Sequence, residues 1–137
     1  MGRGDGRVYE LLRFGARDGG ETTVYLVRHP LRATRTSVVC FPEPTRLDHW
    51  CARERRPEAI VAGFFVREPH RPLGEVRIAG DAVAHEPIAE PWGARRGCVH
   101  VAGDGSVRLA ARAELGERPP GDLVMAGPPC SSETGAR

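Results

Sequence analysis

The stretch AIVAGFFVREPHRPLGEV, residues 59–76, contains the pattern from which the fold can be predicted. Residues 59–62 are small or apolar, as in a buried strand, and Gly63 interrupts this run directly before two phenylalanines. A polar turn flanked by prolines comes next, followed by a second apolar segment that opens with Leu-Gly. The pattern predicts strands at 59–66 and 73–79.

The rest of the chain is dominated by short segments with the composition of β-strands. They are rich in β-branched and aromatic residues, and turns that contain Gly or Asp lie between them. We expect a hairpin between strands at 22–28 and 36–41, across the segment LRAT. Residues 8–14 fit either a strand or a helix. The further predicted strands are 82–85, 95–101, 105–110 and 121–126.

The main helical signal lies between two prolines, Pro44 and Pro57. Thr45 is a suitable N-cap, apolar residues recur at helical spacing after it, and the second proline stops the helix near Arg56. One more helical turn is expected at 113–116. The predicted fold is therefore α+β, with a mixed, mostly antiparallel sheet and one main helix.

The length of the chain predicts one domain. A chain of 137 residues can bury a core of its own, and no internal repeat is present. We expect a domain at 8–128, a disordered N-terminus at 1–7 and a disordered tail at 129–137.

The composition argues against several kinds of partner. The formal net charge is +2, and all 20 basic residues are arginines spread among Glu and Asp. Because nucleic-acid binding requires basic residues clustered on one face, we expect no nucleic-acid partner. No apolar run is long enough for a signal peptide or a membrane span, so we expect a cytoplasmic protein without a membrane partner.

The spacing of cysteine and histidine predicts no metal site and no cofactor. The four cysteines include no CxxC pair. Cys98 and His100 would share one face of a strand, but two ligands do not make a zinc site. We expect Cys98 to be a small core residue. Neither His85 nor His100 has an identifiable partner in the sequence.

Several motifs resemble the phosphodiester glycosidase family, whose signature strand reads Ala-x-Asn-Gly-Gly followed by two aromatic residues. Here Gly63-Phe64-Phe65 precedes a turn and then Leu73-Gly74. Asp104-Gly105 after a strand, and Ala126-Gly127-Pro128, resemble later features of the family in order and spacing. The resemblance covers roughly residues 22–128 and implies a partial phosphodiester glycosidase-like domain.

The resemblance implies hydrolysis of a sugar phosphodiester or glycosidic bond as the ancestral activity, and a sugar phosphate as the ligand. Gly63 would let the backbone approach the ligand, and one phenylalanine would stack on a sugar while the other packs in the core. Arg71 offers a guanidinium fork for phosphate, and Glu75 is either a base or a solvent-facing strand residue. The candidate pocket consists of Val61, Gly63, Phe64, Phe65, Arg71, Gly74, Glu75 and Gly127.

Two departures from the family pattern bear on activity. Val61 occupies the position of the family's Asn, and nothing like the family's later Asp-Gly-Gly-Gly-Ser motif follows. The tail PCSSETGAR is polar where the family continues as an apolar strand, which fits a shift of reading frame near Pro128. We therefore expect a truncated member that is inactive as this chain and that self-associates through an exposed sheet edge. The alternative is a small non-catalytic binding or interaction module. The pattern identifies no catalytic residue and leaves open whether the chain is an enzyme.

Overall fold

The structure is a computed structural model that describes residues 6–129. Its contacts divide the chain into two compact units, Met1–Arg35 and Thr36–Arg137. The predicted domain at 8–128 spans both units. Of the two termini predicted to be disordered, only residues 6, 7 and 129 fall within the described part, and the others lie outside it.

The first unit is an antiparallel hairpin of β1 (Val8–Gly15) and β2 (Glu21–Arg28). The turn is closed because the Asp18 carboxylate accepts the N–H of Gly20 at 3.0 Å. The strand predicted at 22–28 is confirmed, and the ambiguous segment before it is a strand.

The predicted hairpin between 22–28 and 36–41 is wrong, because β2 pairs with β1 and residues 36–41 form no strand. The backbone of this segment is held by a side chain instead. The N–H of Val38 donates to Asp122 Oδ2 at 2.9 Å, while Asp122 Oδ1 accepts the N–H of Ala79 at 2.8 Å.

The strands of the second unit are β3 (Phe64–Arg67), β4 (His70–Leu73), β5 (Val76–Ile78), β6 (Asp81–Ala82), β7 (Arg96–Val101), β8 (Val107–Ala111) and β9 (Asp122–Pro129). Five of them form a sheet with the order β6-β5-β9-β7-β8, in which every pair is antiparallel. A separate hairpin of β3 and β4 precedes this sheet in the chain.

Three short helices accompany these strands in the described chain: α1 (Leu47–Arg53), α2 (Trp92–Arg95) and a 3₁₀-helix (Arg112–Leu115). The predicted Thr45 cap does not form, since its hydroxyl donates to the carbonyl of Glu43 at 3.0 Å. The mostly antiparallel arrangement with few helices is confirmed and fits an α+β or a mainly-β class. The sheet was predicted to be mixed, but parallel pairing among the described residues is confined to one isolated bridge.

The main buried cluster lies on the face of the large sheet where the 3₁₀-helix packs, while Val76, Val101 and Val124 are buried on the opposite face. Cys98 is 1% exposed, which confirms its predicted role as a core residue. The buried cluster consists of Cys98, Ala110, Leu115, Leu123 and Met125, with Ile88 packed against it.

The opening stretch is more exposed than predicted. The strand expected at 59–66 begins only at Phe64, and Ile60 and Val61 are 85% and 79% exposed. The strand expected at 73–79 is divided, because Gly74 has φ +93° and separates β4 from β5.

Candidate functional site

A cavity of about 260 Å³ lies in the second unit, beside the start of β3. We name it the guanidinium pocket after its one charged lining side chain, that of Arg96. It is lined by Phe64, Leu73, Pro87, Ile88, Ala89, Arg96, Met125, Ala126 and Gly127. Phe64 and Gly127 are the two members of the predicted pocket that it brings together.

One wall of the guanidinium pocket is an extended segment that follows β6. The N–H of Glu86 donates to the carbonyl of Pro72 at 2.8 Å, and the N–H of Gly74 donates to the carbonyl of Glu86 at 2.7 Å. A Cβ at position 74 would lie 3.2 Å from Ile88 Cδ1 and 3.2 Å from Met125 Sδ. Gly74 therefore lets this wall close, although it does not line the cavity itself.

Gly63 brings β3 close to β9. It has φ +78°, and a Cβ on it would lie 3.3 Å from the carbonyl oxygen of Met125. The sequence predicted that this glycine allows a close backbone approach to a ligand. In the structure the close approach is to β9, which belongs to the five-stranded sheet, and Phe64 directly after Gly63 lies at the edge of the cavity.

The two phenylalanines diverge, as expected of neighbours in a strand. Phe64 lines the guanidinium pocket and is 67% exposed. Phe65 instead packs against the ring of His70, with centroids 5.1 Å apart. The prediction that the second phenylalanine belongs to the core is wrong, because Phe65 is 54% exposed. Phe65 lies in the β3–β4 hairpin, in which no residue is buried.

Arg96 supplies positive charge to a pocket that is otherwise lined by uncharged residues. One of its terminal nitrogens, Nη1, donates to the carbonyl of Gly127 at 3.3 Å. Its Nε atom is buried and has no hydrogen-bond partner among residues 6–129. A buried donor without a partner is costly, so an anion that reached this atom would be bound favourably.

Arg71, predicted as the phosphate fork, does not line this cavity. Its Nη2 is hydrogen-bonded to the Glu86 carboxylate. Its Nε, like that of Arg96, is buried without a hydrogen-bond partner among residues 6–129, but the carboxylate partner neutralises its charge. Arg71 therefore fastens β4 to the segment after β6 rather than offering a fork to a ligand.

Glu75 lies at the centre of a partly buried ion cluster. Its Oε1 accepts a hydrogen bond from Arg77 Nε at 2.5 Å, and its Oε2 accepts one from Arg112 Nε at 2.5 Å. The Glu75 side chain is 14% exposed. Glu75 was predicted to be a base or a solvent-facing residue, whereas both of its oxygens are occupied by guanidinium groups.

The same contacts determine the protonation state of Glu75. Burial raises the pKa of this carboxyl, but the hydrogen bonds and positive charges of Arg112 and Arg77 outweigh burial, so its pKa lies below the ordinary value. Glu75 is therefore a carboxylate at neutral pH.

A second groove of about 510 Å³ lies next to the guanidinium pocket and shares Pro87, Ile88 and Met125 with it. Glu75 and His85 are among its lining residues. The ring nitrogen Nδ1 of His85 is 2.8 Å from the carbonyl of Val83, and because a carbonyl only accepts, this nitrogen carries the proton.

Val61 does not line either cavity. Conversely, sequence reasoning did not select Arg96, Ile88 or Met125 as site residues, although all three line the guanidinium pocket. A usable signal existed for Met125 alone, because it lies in a predicted strand two residues before Gly127.

Comparisons of the chain with protein-family models, with curated proteins and with solved structures found no match. The resemblance to phosphodiester glycosidases therefore stays a prediction. Within residues 6–129, no helix has the length and apolar character needed to cross a membrane.

Proposed function

We propose that the chain is a phosphodiester glycosidase-like binding module whose guanidinium pocket takes a sugar phosphate and does not hydrolyse it. The observation that supports this is the position of Arg96. Arg96, whose Nε is buried and unpartnered among residues 6–129, is a lining residue of a small cavity whose described lining contains no carboxylate.

The pocket offers both kinds of contact that a sugar phosphate needs. A guanidinium group binds phosphate through charge-assisted hydrogen bonds, which are stronger than bonds between neutral groups. The Phe64 ring at the edge of the pocket presents an apolar face on which a sugar ring can pack. The small volume limits the enclosed part of the ligand to about one sugar unit, and the other substituent of the phosphate would extend into the adjacent groove.

Hydrolysis requires more than this pocket supplies. Glycosidic cleavage uses a carboxylic acid to protonate the leaving group and a second carboxylate as base or nucleophile. Glu75, in the adjacent groove, is held as a carboxylate by two arginines, and both of its oxygens are already hydrogen-bonded. It therefore supports the sheet and is poorly placed to transfer a proton.

Calorimetric titration with N-acetylglucosamine 1-phosphate, N-acetylglucosamine and inorganic phosphate tests this proposal. We expect the sugar phosphate to bind more tightly than either part. Arg96→Gln should weaken its binding by at least about tenfold, because a hydrogen bond to a charged group contributes about 1.5–3 kcal/mol. Arg108→Gln removes the same charge from an exposed strand position outside the pocket and should leave the affinity unchanged.

Equal affinity for the sugar with and without phosphate, or equal effects of the two variants, would contradict the proposal. A parallel assay with a nitrophenyl phosphodiester of N-acetylglucosamine addresses catalysis. We expect no turnover. Turnover that Glu75→Gln abolishes, in a variant that still binds the sugar phosphate, would instead identify the chain as an enzyme.

A further inference from the structure

Strand β8 forms one edge of the five-stranded sheet. Within the described chain it pairs with β7 alone. The opposite edge is β6, which has only two residues. An edge strand presents backbone N–H and C=O groups that another strand can pair with, so β8 is the longer of the two available edges.

The hydrogen-bond pattern shows which backbone groups of β8 point outward. The N–H of Ala102 donates to the carbonyl of Ser106 at 2.9 Å at the end of the β7–β8 ladder. Because bonded and non-bonded pairs alternate in an antiparallel ladder, Arg108 and Ala110 are the residues of β8 that bond to β7. The intervening residues Val107, Leu109 and Ala111 direct their N–H and C=O groups away from the sheet.

One of these outward donors is already occupied. The N–H of Ala111 donates to Glu114 Oε2 at 3.1 Å. The outward N–H and C=O groups of Val107 and Leu109, and the C=O of Ala111, remain for a partner strand.

Leu109 lies at the middle of this edge, and its apolar side chain is 78% exposed. The register of the sheet places it at the end of a row that crosses four strands on one face, through Val76, Val124 and Val99. Val76 and Val124 are buried, and exposure rises toward the edge. The row therefore ends in an uncovered leucine at the same residue whose backbone groups are open.

We propose that a second copy of the chain pairs with this edge, β8 against β8, antiparallel about a two-fold axis at Leu109. In this register Leu109 exchanges two backbone hydrogen bonds with the partner's Leu109. The N–H of Val107 donates to the carbonyl of the partner's Ala111, and the symmetry-related bond joins the N–H of the partner's Val107 to the carbonyl of Ala111. The N–H of Ala111 stays bonded to Glu114 Oε2, so it donates no bond to the carbonyl of the partner's Val107.

The side chains agree with this register. The two Leu109 side chains lie side by side, so the apolar row continues into the partner's Val99. Arg108 lies opposite the partner's Ala110, which avoids like charges in directly opposed positions. The complementarity is thus between the strand and itself, which favours a second copy over an unrelated extended peptide.

Sedimentation velocity of the full chain over a range of concentrations tests the proposal. We expect a monomer–dimer equilibrium. Leu109→Lys places like charges at the two-fold axis and should raise the dimer dissociation constant by at least about tenfold. Leu31→Lys makes the same change at another exposed leucine, in the first unit, and should have no effect. Mixing Leu109→Lys with Leu109→Glu should restore dimers, because opposite charges then meet across the axis.

Hydrogen exchange of the unsubstituted chain gives an independent measurement. As concentration rises, the amides of Val107 and Leu109 should become protected, whereas those of Arg108 and Ala110 should not change, since they already bond to β7. A protein that stays monomeric, dimers that Leu109→Lys leaves intact, a failure of the charge-swapped mixture, or protection that does not alternate along β8 would each overturn the proposal.

Discussion

Replacing Glu75 by Gln tests whether its ion cluster holds the large sheet to the 3₁₀-helix. The carboxylate lies directly before β5, and Arg112 is the first residue of the 3₁₀-helix. The side chains of Glu75, Arg77 and Arg112 are 14%, 13% and 16% exposed. The substitution keeps the size of the side chain while removing the negative charge, so two buried guanidinium groups would face a neutral amide.

The expected loss follows from this burial. Removing one partner of a buried ion pair costs about 3–5 kcal/mol, because the other charge is left uncompensated. The guanidinium groups also donate to the carbonyl oxygens of Gly80 at 2.8 Å and Gly116 at 2.6 Å, and these bonds survive the substitution. We therefore expect Glu75→Gln to lower the free energy of unfolding by about 3 kcal/mol at neutral pH, the lower end of that range.

The loss should depend on pH in a defined direction. The folded pKa of Glu75 lies below its ordinary value, so its stabilisation is fully present above the unfolded pKa of about 4.3. It is lost as pH falls through the lower folded pKa, because the unfolded chain then binds the proton more readily than the folded one. The difference between the unsubstituted chain and Glu75→Gln should therefore shrink below about pH 4.

Urea unfolding followed by tryptophan fluorescence measures this difference, because Trp50 and Trp92 both lie in the second unit. Glu54→Gln is a matched control, since Glu54 forms an ion pair with Arg53 at 2.8 Å but is 45% exposed. Its expected cost is below about 1 kcal/mol. Equal losses in the two variants, or a Glu75→Gln loss that is constant from neutral to acidic pH, would refute the reasoning.

Two further substitutions test the connections of the second unit, each measured by the same urea unfolding. Gly63→Ala should cost about 1–2 kcal/mol, because φ is +78° and the added Cβ would lie 3.3 Å from Met125 O. Gly103→Ala, where an added Cβ has nothing within 4 Å, should cost nothing. Asp122→Ala should cost about 2 kcal/mol, because its two oxygens accept N–H groups at 2.9 and 2.8 Å. Asp104→Ala, in an exposed turn, should cost clearly less. If Gly63→Ala cost no more than Gly103→Ala, or Asp122→Ala no more than Asp104→Ala, the proposed role of Gly63 or of Asp122 would be contradicted.

The strands predicted best are those that can be recognised from their own composition and from the turns next to them. The strands expected at 95–101, 105–110 and 121–126 are present as β7, β8 and β9, because each has an alternating or β-branched pattern with a Gly-containing turn at one end. Pairing was predicted less well. The segment 36–41 has the composition of a strand, yet its backbone bonds to Asp122, 84 positions away from Val38. No local pattern contains that information.

The same distinction applies to the candidate site. Phe64 and Gly127 were predicted because a motif marked them, and the structure places both in the guanidinium pocket. Ile88 lines it too, but it belongs to a segment that is joined to β4 through the backbone and the side chain of Glu86. The wall of the pocket is thus formed by a long-range contact. The strand predicted at 82–85 is wrong beyond Ala82, because β6 comprises only Asp81–Ala82 and the segment after it is irregular.

The arginines show why the charge of a residue does not reveal its role in this protein. Since every basic side chain is a guanidinium group, residue type cannot separate a structural cation from one that binds a ligand. The presence of a carboxylate beside the arginine does separate these two roles. Arg71 has Glu86 within reach, and Arg77 and Arg112 share Glu75, so three of the most buried forks are neutralised internally. Arg96 is held by a carbonyl alone, with its Nε unpartnered in the described chain, and it therefore keeps the net charge with which an anion would interact. A search for anion sites in an arginine-only protein should accordingly begin with the distances to Asp and Glu and only then consider the arginines themselves.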